Sequence, residues 1–108
     1  MIYELRVYEA NPGQLPALSA RFENHTRHFF AKYGIQVVGF WTTVIGPSAQ
    51  DFTYMLAYES LADRERKWTA FSTDPEWLAI KRETEKDGPL WANIRNQMLA
   101  PTKFSPLQ

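Results

Sequence analysis

One histidine lies on a stripe of apolar side chains in a predicted helix. From Gln14 onward, large apolar residues recur every three or four positions, and His25 falls on that stripe between Phe22 and Phe29. An imidazole among apolar groups needs a hydrogen-bond partner, and its charge changes near neutral pH. His25 is therefore a candidate general base, haem ligand or substrate anchor, or else a structural histidine bonded to a carbonyl or a tyrosine.

The other histidine, His28, follows three residues later and lies on the flank of the same stripe. Two histidines at this spacing hold a metal ion only with further ligands, such as carboxylates from elsewhere in the chain. The sequence offers no clear third ligand, so we predict no metal site. We expect His28 to lie on a solvated face.

Charged and phenolic residues alternate with apolar ones in the first predicted strand. The polar set is Glu4, Arg6 and Tyr8, and the apolar set is Tyr3, Leu5 and Val7. We expect the apolar set to face the helices and the polar set to enter the space between two sheets of a dimer. Charges there must be paired or neutralised. Glu4 and Arg6 form either an ion pair that fixes the dimer register or, with the tyrosine hydroxyls, a site for an anion.

Aromatic residues are numerous, with four tryptophans and five tyrosines in the chain. They are candidate walls of a pocket for a flat aromatic molecule, because such side chains exclude water and a tyrosine hydroxyl can orient a phenolate. Ordinary packing of the core and of an interface explains them as well. The candidate wall residues are Trp41, Tyr54, Tyr58, Trp68 and Trp91.

Composition excludes several classes of function. The 108 residues suit one domain over residues 1–108, with an extended tail at 101–108, and 12 basic residues balance 12 acidic ones. Without a positive excess we expect no nucleic-acid partner. Cysteine is absent, which excludes disulfides and thiol nucleophiles, and the scattered glycines form no phosphate-binding loop. The longest apolar run, Val37 to Trp41, is too short to span a membrane, and we expect a soluble cytoplasmic protein.

The predicted elements follow the order strand, helix, strand, strand, helix, strand. This order is typical of a ferredoxin-like α+β fold, in which helices cover one face of a four-stranded antiparallel sheet. Capping patterns predict helix starts at Ser60 and Asp74. The predicted strands cover Met1 to Ala10, Ile35 to Ile45, Phe52 to Tyr58 and Trp91 to Leu99.

Both faces of the second and third strands are apolar. In the third strand, Tyr54 and Leu56 alternate with Met55 and Ala57. The helices can cover only one of these sets, so the other would leave an exposed apolar patch on a monomer. A second copy of the chain is the simplest cover, and we therefore predict a homodimer in which two sheets pack into a dimeric α+β barrel.

Five segments carry a resemblance to a known family: Tyr3 to Tyr8, Gly39 to Thr42, Ala62 to Glu65, Asp74 to Trp77 and Phe104 to Leu107. With these segments and this architecture, the chain resembles the NIPSNAP family of the dimeric α+β barrel superfamily. The resemblance implies a homodimer, but little chemistry, because the short members of the family are mostly uncharacterised. The superfamily also includes cofactor-free monooxygenases and haem proteins, several of which have a pocket between the sheet and the helices.

These observations predict a homodimer that binds a small aromatic or apolar molecule between the first helix and the sheet, without a cofactor. His25 would lie at the polar end of the pocket. One alternative is a cofactor-independent monooxygenase or isomerase with His25 as its base, and another is an interaction module without catalysis. Haem held by His25 is a further alternative. The candidate ligand-binding residues are Arg6, Tyr8, Trp41, Tyr54 and Tyr58.

Overall fold

The fold is built on one four-stranded antiparallel sheet. The computed structural model describes residues 1–108. The strands lie side by side in the order β2-β3-β1-β4, so the first strand pairs with both the third and the fourth. This topology confirms the predicted ferredoxin-like fold. The strands are β1 (Ile2–Ala10), β2 (Gln36–Thr42), β3 (Asp51–Tyr58) and β4 (Trp91–Leu99).

The first helix is continuous but changes its winding in the middle. It consists of α1 (Leu15–Arg21), a π-helical turn (Phe22–Thr26) and α2 (Arg27–Lys32). The wider π turn shifts the buried stripe by one residue. As a result Thr26, and not His25, follows Phe22 toward the core, and Thr26 is buried whereas His25 is half-buried. The helix ends before Gly34, whose φ of +70° is a left-handed conformation that glycine adopts readily.

The other two helices begin at the predicted caps. They are α3 (Leu61–Ser72) and α4 (Pro75–Thr84). The Ser60 hydroxyl accepts a hydrogen bond from the Asp63 amide at 3.1 Å. The Asp74 carboxylate accepts hydrogen bonds from the amides of Glu76 and Trp77 at 2.8 and 3.2 Å. These side chains bind amides that would otherwise lack a partner at the helix start.

The second strand is shorter than predicted. It ends at Thr42, and Val44 and Ile45 lie in the following loop with 94% and 96% of their surfaces exposed. β2 is an edge strand that pairs only with β3, and its register shifts between Val37 and Gly39. Residues 43–45 favour extended structure but have no strand to pair with, because the chain leaves the sheet there for the loop before β3.

The prediction for the two faces of β1 was wrong. Glu4, Arg6 and Tyr8 face the helices, whereas Leu5 and Val7 lie on the open face of the sheet. Period-two alternation separates two faces without showing which one is covered. Residues distant in sequence determine which face of β1 is covered, because basic, amide and phenolic groups from the helices and neighbouring strands surround Glu4 and Arg6.

The core lies between the sheet and the helices and is rich in aromatic rings. Phe22 of the π turn stacks on Phe52 of β3, with ring centroids 4.5 Å apart. Tyr54, also on β3, is fully buried against Phe30 of α2. This packing fixes the first helix against β3 and so positions the side chains that follow the π turn.

The opposite face of the sheet carries no helix. Leu5, Val7 and Met55 are half-buried there, and Trp41 remains 48% exposed. The hydroxyl of Tyr3 donates a hydrogen bond to the carbonyl of Gln108, so the tail covers one end of this face. None of the helices has the length and apolar character needed to cross a membrane.

Candidate functional site

Glu4 lies at the centre of a buried polar cluster on the helix side of the sheet. Its side chain is inaccessible to solvent and accepts hydrogen bonds from Arg6 at 2.9 Å, Asn96 at 2.9 Å and Arg64 at 3.0 and 3.1 Å. Arg64 comes from α3, 60 residues away in sequence. Glu4 and Arg6 thus form an ion pair within one chain, not across a dimer interface.

Hydrogen bonding sets the charge state of this cluster. Burial alone would raise the pKa of Glu4, but hydrogen bonds from Arg64 and Asn96 and the charge of Arg6 outweigh it, so the pKa is lowered. Burial likewise disfavours the charged form of Arg6. The phenols of Tyr54 and Tyr8 and the Glu4 carboxylate outweigh that burial and raise the pKa of Arg6. Both groups therefore stay charged at neutral pH.

Arg6 also connects the cluster to two tyrosines and a tryptophan. Its Nε donates to the hydroxyl of Tyr54 at 2.8 Å, and its Nη2 donates to the hydroxyl of Tyr8 at 3.5 Å. The Tyr54 hydroxyl lies 3.4 Å from that of Tyr8 and donates to it. The guanidinium stacks over the indole of Trp68, 4.4 Å from the ring centroid. Burial raises the pKa of Tyr54 well above its ordinary value, which keeps the phenol protonated.

A cavity of about 180 Å³ lies beside Arg6, between the sheet and helices α3 and α4. Its walls come from five elements, so they form only when the helices pack on the sheet. Aromatic rings supply much of the surface and two buried arginines supply charge. The lining residues are Arg6, Tyr8, Arg21, Trp68, Phe71, Ser72, Trp77, Leu78, Lys81, Trp91 and Ile94.

The second arginine of the cavity, Arg21, is poorly partnered for a buried charge. Only 4% of its surface is exposed, and its Nε has no hydrogen-bond partner. Its Nη1 donates to Thr84 at 3.3 Å and lies 3.5 Å from Glu85, while the guanidinium lies over the ring of Trp77. Burial lowers the pKa of Arg21, and the charge of Glu85 offsets only part of this effect.

The structure brings together part of the predicted ligand-binding set. Arg6 and Tyr8 line the cavity, and Tyr54 lies directly behind them, bound to both. Trp68 and Trp91, which we proposed as wall residues, also line the cavity.

Trp41 and Tyr58 lie elsewhere. Trp41 borders a larger hollow of about 310 Å³ between the first helix and the β2 edge, together with Glu23 and Arg27. This hollow opens to solvent between exposed side chains and holds no buried charge. Tyr58 is buried on the far side of the Glu4 cluster, and its hydroxyl has no hydrogen-bond partner.

His25 lines neither the cavity nor the hollow beside Trp41. It is half-buried in a separate depression that it shares with Arg21, Thr84 and Leu90. The expectation that His25 forms the polar end of a pocket between the first helix and the sheet was therefore wrong in its geometry, because the π turn rotates it away from the sheet. The catalytic role of His25 stays a prediction. His28 is exposed, as expected.

Sequence reasoning missed the most unusual residue of the site. Arg21 precedes Phe22 on the apolar stripe of the first helix, a position where a basic residue usually lies at the surface. Lys81 was also missed, although it follows the inward-facing Trp77 by four residues and so shares its helix face. Their spacing relative to Phe22 and Trp77 is the signal that would have found them.

Solved structures similar to this chain support the same fold. A NIPSNAP family protein with unknown function from Agrobacterium tumefaciens is 29% identical, with a TM-score of 0.87 over 100% of this chain and 94% of that one. An uncharacterized NIPSNAP-like domain protein from Burkholderia xenovorans is 28% identical, with a TM-score of 0.85 over 97% and 88%. A putative antibiotic biosynthesis monooxygenase from Nitrosomonas europaea, 11% identical with a TM-score of 0.65 over 94% and 98%, shares the fold alone.

The family comparison covers nearly the whole chain. None of the curated proteins matches it. The NIPSNAP family model matches residues 3–106, which include all the cavity residues and, apart from Ile2, all four strands. The extent of this match, together with the shared fold, shows that the chain belongs to the NIPSNAP family.

Proposed function

We propose that this NIPSNAP protein is a homodimer in which each chain binds one small aromatic molecule in the cavity between the sheet and the helices. The observation that carries the proposal is the composition of the cavity walls. Three indole rings, from Trp68, Trp77 and Trp91, surround a space that also exposes two buried guanidinium groups. Apolar walls with a few polar groups are typical of ligand pockets.

The size of the cavity limits the ligand to about one ring. An apolar cavity of about 150 Å³ is large enough to bind benzene. The present cavity, at about 180 Å³, therefore suits a single six-membered ring with a small substituent. The indole faces provide stacking or edge contacts for such a ring.

The side chains of the cavity favour binding over acid–base catalysis. Arg6, Arg21 and Lys81 are cationic, and Tyr54 keeps its proton because burial raises its pKa. Glu4 is already occupied by four hydrogen bonds and has a lowered pKa, which makes it a weak base. These groups can hold and orient a ligand, whereas none of them is suited to remove a proton near pH 7.

The proposed dimer uses the open face of the sheet. Leu5, Val7, Met55 and Trp41 leave apolar surface there that no helix covers. Native mass spectrometry tests this part of the proposal, and we expect twice the chain mass. Replacing Leu5 with aspartate places a charge on that face and should yield monomers. A monomer in the unaltered protein would contradict the dimer.

Filling the cavity tests the ligand site. Ser72 lines the cavity, so S72F should place a phenyl ring in it. Ser19 lines the larger hollow, and S19F is the matched control. We expect ligand-detected NMR to show binding of benzoate or benzamide to the unaltered protein and to S19F, but not to S72F. Absence of binding to any of them, or equal binding to S72F, would overturn the proposal.

Cofactor use and location stay predictions. Titration with haem should leave its Soret band unchanged, and a shift that disappears in His25→Ala would establish the haem alternative instead. Turnover of an aromatic substrate that His25→Ala abolishes would establish the monooxygenase or isomerase alternative. The cysteine-free composition fits a reducing compartment, and the cytoplasm is the proposed location.

A further inference from the structure

Two side chains that line the cavity carry a hydrogen-bond donor without an acceptor in the protein. The first donor is the buried Nε of Arg21. The second is the hydroxyl of Tyr8, whose oxygen receives hydrogen bonds from Arg6 and Tyr54. Because a hydroxyl has two lone pairs and one hydrogen, these two bonds leave the Tyr8 hydrogen free for a further acceptor. The Arg21 donor is buried, and a buried donor without an acceptor is costly, so its presence calls for an explanation.

The chain segments that carry the two donors are in contact beside the cavity. Tyr8 packs edge to face against Phe22, with ring centroids 5.4 Å apart, and Phe22 adjoins Arg21 in sequence. Both Tyr8 and Arg21 line the cavity. A ligand with two acceptor oxygens would supply an acceptor for each donor.

Positive charge predominates around the cavity. Glu4 is shared between Arg6 and Arg64, so one carboxylate serves two guanidinium groups. Arg21 has only Glu85, at 3.5 Å, and no carboxylate lies within 4 Å of the ammonium of Lys81. A neutral ligand would leave this excess uncompensated in a region of low dielectric constant, whereas an anion would balance it.

From these observations we infer that the ligand of this cavity is an aromatic carboxylate, whose carboxylate accepts hydrogen bonds from Arg21 Nε and the Tyr8 hydroxyl while its ring packs among the tryptophans. The inference rests on the proposed function and adds the chemical class of the ligand. The planar guanidinium matches a carboxylate in shape as well as in charge. Arg21 and Tyr8 thereby become the residues that determine specificity.

Calorimetric titration with benzoate and benzamide tests the inference, because the two probes differ in charge but hardly in size. We expect benzoate to bind the unaltered protein at least about tenfold more tightly than benzamide, since hydrogen bonds to charged groups contribute about 1.5–3 kcal/mol. R21M should weaken benzoate binding about 10- to 100-fold and benzamide binding much less, because a neutral amide oxygen is a weaker acceptor than a carboxylate, and so remove the preference. Y8F should weaken benzoate binding about three- to tenfold.

An exposed arginine provides the control. Arg27 lies on the same helix and borders the other hollow, so R27M should keep the full preference for benzoate. Thermal unfolding confirms that each variant is folded, and Y8F serves as the test if R21M is not.

The possible outcomes distinguish failure of the carboxylate inference from failure of the proposed ligand site. Equal binding of both probes, lost in S72F, would overturn the carboxylate inference and keep the cavity as a ligand site. A preference for benzoate that survives both R21M and Y8F would overturn it as well. Absence of binding by either probe would overturn the proposed function together with the inference.

Discussion

Two arginines in one cavity have opposite surroundings. Arg6 donates to Glu4, Tyr54 and Tyr8 and stacks on Trp68, so each nitrogen of its guanidinium has a partner within the protein. Arg21 is equally buried, yet its Nε has no partner. A buried charge with complete partners stabilises one arrangement of the chain, whereas one with a missing partner is better explained by a ligand. We therefore propose a structural role for Arg6 and a binding role for Arg21.

Removal of the Glu4 carboxylate should lower the free energy of unfolding more than any other change described below. E4Q leaves Arg6 and Arg64 without their buried counter-charge, and breaking a buried ion pair costs about 3–5 kcal/mol. We expect urea denaturation to show a loss of this size. The control is E83Q, which breaks an exposed ion pair with Lys86 and should cost less than about 1 kcal/mol. Similar losses in both variants would show that the Glu4 cluster does not hold the fold.

Replacing Arg6 or Arg21 by methionine should change the free energy of unfolding by a smaller amount, and the difference between the two variants should distinguish their roles. R6M removes the donor to the Tyr54 hydroxyl and one partner of Glu4, so we expect a loss of about 2 kcal/mol. R21M removes a charge whose Nε is unpaired, and its free energy of unfolding should stay within about 1 kcal/mol of the unaltered protein or rise. A larger loss for R21M than for R6M in urea denaturation would reverse the assignment.

The pH dependence of stability should give the smallest effect. The folded pKa of Glu4 lies below its ordinary value of 4.5, so the unfolded chain binds protons more readily. This contribution is complete above about pH 4.5 and should be lost as the pH falls below that value. The melting temperature between pH 7 and pH 3 should therefore fall less steeply in E4Q.

A second carboxylate should contribute in the same way. The pKa of Asp74 is also lowered, by hydrogen bonds from Lys32 and Tyr33, and D74N should likewise make the melting temperature fall less steeply with pH. If the melting temperature of E4Q and D74N falls with pH as steeply as that of the unaltered protein, the lowered pKa values of Glu4 and Asp74 would be contradicted.

The sequence predicted most of the fold because local signals mark its elements. Trp91 and Leu99 bound the fourth strand as expected, and Ser60 and Asp74 cap helices as expected. The end of β2 was missed, since Val44 and Ile45 favour strands but have no neighbour to pair with. Local preference predicts where a strand is possible, whereas the sheet decides how far it continues.

The site was predicted only in part for a related reason. Arg6, Tyr8 and Tyr54 were named as ligand-binding candidates and lie together, but Arg6 and Tyr8 lie on the opposite face of the sheet from the one expected. The partner that makes burial of Glu4 possible, Arg64, is 60 residues away in sequence. The role of Arg21 depends on a π turn, which leaves no clear pattern in the sequence, and on packing against Trp77 of α4, which is distant in sequence.

The most direct test of the assignment is to observe the Nε–H groups of both arginines by ¹⁵N NMR during titration with benzoate. R6K and R21K identify the two signals. We predict that the Arg21 signal moves progressively and saturates as its Nε–H acquires an acceptor, while the Arg6 signal stays nearly fixed because its Nε–H already binds the Tyr54 hydroxyl. A fixed Arg21 signal at saturating benzoate, or equal movement of both signals, would contradict the account.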